Sequence, residues 1–117
     1  MDQVELKKRT KEFAKSVIDL CRQLPNTREG RLIGDQLFRS GTSVGANYRA
    51  ACRGRSKPDF ISKMGIVLEE ADETLYWLEI LGETGVVKAE LLVALIREAG
   101  EFVAIFASSV KTARLSR

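Results

Sequence analysis

The stretch from Ser56 to Leu78, SKPDFISKMGIVLEEADETLYWL, decides the fold. Ser56 suits an N-cap, Pro58 suits a first helical turn because its missing N–H costs nothing there, and Asp59 complements the helix dipole. Behind that start, Ile61, Met64, Leu68, Ala71, Leu75 and Leu78 recur in steps of three and four. This is the period of a helix with one buried stripe. The same pattern recurs outward in both directions. Upstream, Leu6, Thr10, Phe13, Val17, Leu20 and Leu24 form one stripe, and Ile33, Leu37, Ser40, Val44, Tyr48 and Ala51 a second. Downstream, Leu92, Ile96, Ala99, Val103, Phe106 and Val110 form the last. Pro25-Asn26, the Gly54 to Pro58 stretch and Gly82-Glu83-Thr84-Gly85 separate the four segments.

The expected fold is therefore all-α. Helices over about 3–24, 28–54, 58–82 and 87–112, joined by short connections, pack as an antiparallel up-and-down four-helix bundle. Residues 112–117 read as a frayed basic tail. At 117 residues the chain is sized for one core, so a single domain over 1–117 is expected. Apolar residues make up 44% and charged residues 30%, a globular composition. The longest apolar runs, Leu91 to Ile96 and Phe102 to Ala107, fall far short of the roughly 20 residues that cross a bilayer. The polar start Met1-Asp2-Gln3-Val4-Glu5 does not resemble a signal peptide, so a cytoplasmic protein without a membrane partner is expected.

The chain contains no histidine, which removes the commonest general base, the usual triads and most transition-metal sites. No cofactor and no catalytic residue is expected. Cys21 and Cys52 read as small core or interface residues. Glu69, Glu70 and Glu73 share a helix, but a di-iron bundle would add Glu-x-x-His motifs. A magnesium-dependent hydrolase built on these carboxylates is the least favoured reading. The favoured reading is that they pair with arginines of the second helix or face water.

Charge is divided unevenly along the chain. Residues 25–57 carry Arg28, Arg31, Arg39, Arg49, Arg53, Arg55 and Lys57 against Glu29 and Asp35, whereas residues 58–86 carry seven acids against Lys63. Either the two helices neutralise each other, or the cations stay free for phosphate. Arg49 and Arg53 lie one turn apart, with Arg55 and Lys57 extending the patch. With Arg39 they form the candidate nucleic-acid set. The small-residue tract Ser40 to Asn47 contains Gly41 and Gly45, each costing about 1 kcal/mol relative to alanine inside a helix. Close approach of a neighbouring helix or another subunit compensates for that cost; a cradled phosphate is the lesser alternative. Ser40, Gly41, Gly45, Asn47 and Tyr48, with Tyr76 and Trp77 as aromatic anchors, form the candidate oligomer or close-packing surface.

Three blocks carry a resemblance: Arg39 to Arg49 (RSGTSVGANYR), Ser56 with Asp59 to Lys63, and Leu68 to Glu79 (LEEADETLYWLE). They resemble the small bacterial four-helix-bundle proteins encoded in intervening sequences of 23S ribosomal RNA genes. The similarity covers nearly the whole chain and is densest from about 37 to 81. Ala50 departs from a pattern that often has Glu after Asn-Tyr-Arg, which leaves the local patch more basic. The resemblance implies a ring-like homo-oligomer, a pentamer. It also implies kinship with the accessory protein of diversity-generating retroelements, a basic bundle that engages nucleic acid and a reverse transcriptase. It supplies no catalytic residues. The leading expectation is a homo-oligomeric bundle binding RNA or DNA; the alternative is a protein-interaction scaffold whose charged helices mediate assembly.

Overall fold

The computed structural model describes residues 1–116. Four helices follow one another: α1 (Gln3–Arg22), α2 (Arg28–Cys52), α3 (Lys57–Glu83) and α4 (Val93–Leu115). No strand occurs among the described residues. Each of the first three helices starts on a side chain that accepts a free backbone amide. Asp2 takes Glu5 N–H at 2.8 Å, Thr27 takes Gly30 N–H at 3.1 Å, and Ser56 takes Asp59 N–H at 3.2 Å. The Asp59 carboxylate in turn accepts Arg55 N–H at 3.0 Å, so the tight α2–α3 turn is satisfied from both sides. α4 begins later than position 87, because residues 84–92 fold as a connection containing a 3-10 turn, Ala89–Leu91. Its far end is longer than the periodicity suggests. The expected fray from 112 is helical to Leu115, and Arg117 lies outside the described residues.

Sequence neighbours pack antiparallel. Gly34 approaches Leu24 and Gly45 approaches Thr10 between α1 and α2; Arg39 reaches Glu70 and Glu73 between α2 and α3; Gly82 approaches Leu92 where α3 turns back towards α4. The bundle measures 49 × 21 × 19 Å, and its sparsest seam lies between α1 and α4. The expected stripes of α1 and α2 are buried almost as drawn. Those of α3 and α4 are rotated: Val67, Thr74 and Leu81 are buried where Ile61, Leu68 and Leu75 are only half-buried, and Leu95 and Phe102 replace Ile96 and Val103. Apart from Thr74 both rows are apolar, so periodicity alone does not say which one points to the centre. Thr74 tolerates the core because its hydroxyl donates to the Glu70 carbonyl at 2.7 Å, and Thr10 donates likewise to Leu6 at 2.8 Å.

Glycine places α2 against α1. A Cβ on Gly41 would sit 2.8 Å from both methyls of Val17, and one on Gly45 would sit 3.3 Å from the backbone of Thr10. The small-residue tract is thus satisfied by a helix of the same chain.

Candidate nucleic-acid interface

The antiparallel order gathers the start of α1, the end of α2, the start of α3 and the end of α4 at one end. Residues 1–12, 40–69 and 104–116, the half nearest that end, carry eleven Lys and Arg against five Asp and Glu. The remaining described residues, 13–39 and 70–103, carry seven against eleven. The molecule is therefore charged along its length, positive at one end and negative at the other.

The candidate cations differ in what they touch. Arg39 faces α3, where its guanidinium donates to Glu70 at 3.1 Å and to Glu73. That hydrogen bond, seconded by Trp77 Nε1–H at 3.1 Å, holds the Glu73 carboxyl below the usual carboxylate range. Glu70 and Glu73 are thereby engaged with a cation, as the pairing reading expects. Lys57 donates to the Ser116 carbonyl and so points towards α4. Arg55 is exposed in the α2–α3 turn. Arg49 and Arg53 are exposed at the end of α2.

Helical phase puts Arg49 on the flank of α2 nearer α1, and Arg53, the residue that caps the helix, on its outward side. Arg49 is three turns beyond Phe38, which lines a cleft with Cys21 of α1, and one turn beyond Gly45, which touches Thr10. On α1, Lys7 and Lys11 share a row with Ile18, next to Cys21 on the flank that faces α2. Two one-turn pairs of exposed cations thus lie side by side on the α1–α2 face. None of the four makes an ion pair among the described residues. The chain order alone separates Lys7 and Lys11 from the arginines by some forty residues. Their one-turn spacing was a visible signal; their neighbour on α2 was not.

The candidate packing residues also divide. Ser40, Gly41, Gly45 and Tyr48 are buried inside the bundle, with the Tyr48 ring tilted against Phe106 at 5.6 Å. Burial pushes the Tyr48 phenol well above its ordinary value. Asn47 is half-buried and donates to the Ser43 carbonyl at 2.8 Å. Trp77 is half-buried, and Tyr76 stands 53% exposed with its ring edge-on to Trp77 at 5.0 Å.

The remaining chemistry is sparse. Among the described residues no group of three His, Cys, Asp or Glu side chains is placed to hold a metal ion. Cys21 and Cys52 are free and half-buried, and burial raises the Cys21 thiol above its ordinary value, away from thiolate reactivity. An open groove of about 520 Å³ between α1 and α4 has Phe13 and Leu95 in its floor and both signs of charge on its rim. No helix is long and apolar enough to cross a membrane among the described residues.

No protein with a curated description matches the sequence. A solved structure does: a protein of unknown function from the S23 ribosomal protein family of Bacteroides thetaiotaomicron VPI-5482, 36% identical, with a TM-score of 0.86 over 95% of this chain and 99% of that one. The family model described as 23S rRNA-intervening sequence protein matches residues 2–108. With the four-helix architecture, the blocks from Arg39 to Glu79 and this match over nearly the whole chain, the protein belongs to the 23S rRNA-intervening sequence protein family.

Proposed function

We propose that this protein is a non-enzymatic, homo-oligomeric bundle that holds nucleic acid by its phosphates. The observation that supports this most directly is the set of four exposed cations, Lys7, Lys11, Arg49 and Arg53, on one face of the basic half without acidic partners among the described residues. Each phosphate neutralised there releases counterions, so binding is salt-dependent and independent of base sequence. Oligomerisation multiplies a weak contact by presenting several such faces at once. A pentameric ring in the cytoplasm, working beside a reverse transcriptase, is the form of assembly this proposal carries.

Light scattering coupled to size exclusion, with and without structured ribosomal RNA, tests it. The expected result is an oligomer that co-elutes with RNA at low salt and releases it at high salt. Absence of RNA binding at low salt overturns the proposal.

Tyr76 favours a second reading. A ring half-exposed on the acidic half is an anchor for a protein partner, and in that reading the charged helices serve assembly. Charge reversal at Arg49 and Arg53 would then change the oligomeric state and leave RNA irrelevant.

A further inference from the structure

The protein's eight aromatic side chains distinguish between the forms of nucleic acid that the basic face could take. Phe13, Tyr48, Phe102 and Phe106 are buried, and Phe60 and Trp77 are half-buried against the core. Only Phe38 and Tyr76 are exposed, at 46% and 53%. Both belong to the other half of the bundle: Phe38 beside Cys21 and Asp35, and Tyr76 on α3 among Asp72, Glu73 and Glu79. The basic half therefore presents no exposed ring on which an unpaired base could stack; its one partly accessible ring, Phe60, packs against the core. Proteins that hold single strands combine a cationic track with such rings, each stacked base being worth about 1–3 kcal/mol.

What the basic half does present is two pairs of exposed cations carried by antiparallel helices. Lys7 and Lys11 on α1 are one turn apart, and so are Arg49 and Arg53 on α2, roughly 5–6 Å within each row. The rows cannot be far apart, because Gly41 packs against the Val17 side chain and Gly45 against Thr10 with no room for a Cβ at Gly41. Closely packed helices lie about 8 Å axis to axis, and the long cationic side chains widen that span. The distance is of the same order as the roughly 6 Å and 12 Å grooves that separate the phosphate strands of B-form DNA.

Resting on the proposed phosphate-binding function, we infer that this face takes double-stranded nucleic acid, with the α1 row on the phosphates of one strand and the α2 row on those of the other. A double helix supplies two phosphate rows at fixed separation without asking for a stacking surface. Recognition is through the backbone, so either duplex RNA or duplex DNA satisfies it.

The test is fluorescence anisotropy of the full chain with short duplex RNA, duplex DNA and unstructured single strands of each, titrated over salt. At least one duplex should bind about tenfold or more tighter than its single strand. The double variants K7Q/K11Q and R49Q/R53Q should each weaken duplex binding, and each should flatten the slope of log K against log salt by about 1.8 per protomer engaged. Single strands bound as tightly as duplexes overturn this inference and leave the phosphate-binding function standing. Loss on one row only also overturns it. No binding to any of the four probes overturns both.

Discussion

The guanidinium of Arg9 on α1 lies 5.0 Å from the ring centroid of Phe102 on α4, a cation resting on an aromatic face across the sparsest seam of the bundle. The same guanidinium grips Glu98 through two hydrogen bonds, at 2.7 and 2.5 Å, and reaches Glu101 at 2.5 Å. Arg9 and Glu98 are mostly covered, with 23% and 27% of their side chains exposed, whereas Glu101 is half-exposed and contributes less. Arg9→Ala should therefore lower unfolding free energy by about 1–2 kcal/mol. Arg9→Lys should recover less than half of that loss, because an ammonium cannot make the paired contact to Glu98. Urea unfolding followed by circular dichroism measures both.

The glycines divide by what surrounds them. Gly65 and Gly100 have nothing within 4 Å of the position a Cβ would take, while Gly41 would drive one into Val17 at 2.8 Å. Gly65→Ala and Gly100→Ala should each stabilise the chain by about 0.5–1 kcal/mol through helix propensity alone. Gly41→Ala gains the same propensity and loses more to overpacking, a net cost of about 1–2 kcal/mol. Thermal melts of the three variants should move in opposite directions; a stabilised Gly41→Ala would mean that α1 can yield at Val17.

Acid should loosen the α2–α3 seam. The Glu73 carboxyl is held below its unfolded value chiefly by its hydrogen bond from Arg39. A depressed carboxylate contributes stability that is complete above its unfolded value of about 4.3 and is lost as pH falls through the lower folded value. Wild-type urea midpoints should consequently drop between about pH 5 and pH 3. Glu73→Gln starts lower at neutral pH and should show a smaller drop over the same window, since it has no proton to take up.

Four helices were legible because three independent signals agree: apolar steps of three and four, breaks at Pro25 and Gly54, and the caps Asp2, Thr27 and Ser56. The rotation of α3 and α4 was not, since Leu68 and Val67, like Val103 and Phe102, are equally apolar neighbours. Part of the charge pattern could be read from antiparallel register. Arg39 and Glu70 are about equally distant from the α2–α3 turn, so they meet. Arg49, closer to the turn, lies on the flank of α2 nearer α1 and makes no ion pair among the described residues. The contribution of Lys7 and Lys11 depended on how α1 is turned about its own axis, a property set by which of its flanks packs on Gly41 and Gly45.

That difference between Arg39 and Arg49 makes the two arginines separable by experiment. Arg39 is half-exposed, but its partners Glu70 and Glu73 are mostly covered, so Arg39→Gln removes a pair that joins α2 to α3. It should cost about 1 kcal/mol of stability. It should also leave RNA affinity within about twofold, because no phosphate contact is lost. The double variant R49Q/R53Q should do the reverse: unfolding unchanged within about 0.5 kcal/mol, since the side chains are exposed and make no ion pair among the described residues, and RNA affinity reduced tenfold or more at low salt. Parallel denaturation and filter-binding measurements on the two variants give a crossed pattern if the basic half of the α1–α2 face holds nucleic acid. If instead Arg39→Gln abolishes RNA binding while R49Q/R53Q is silent, the functional charge lies on the α2–α3 seam. The acidic third helix would then act as the element that regulates access to it.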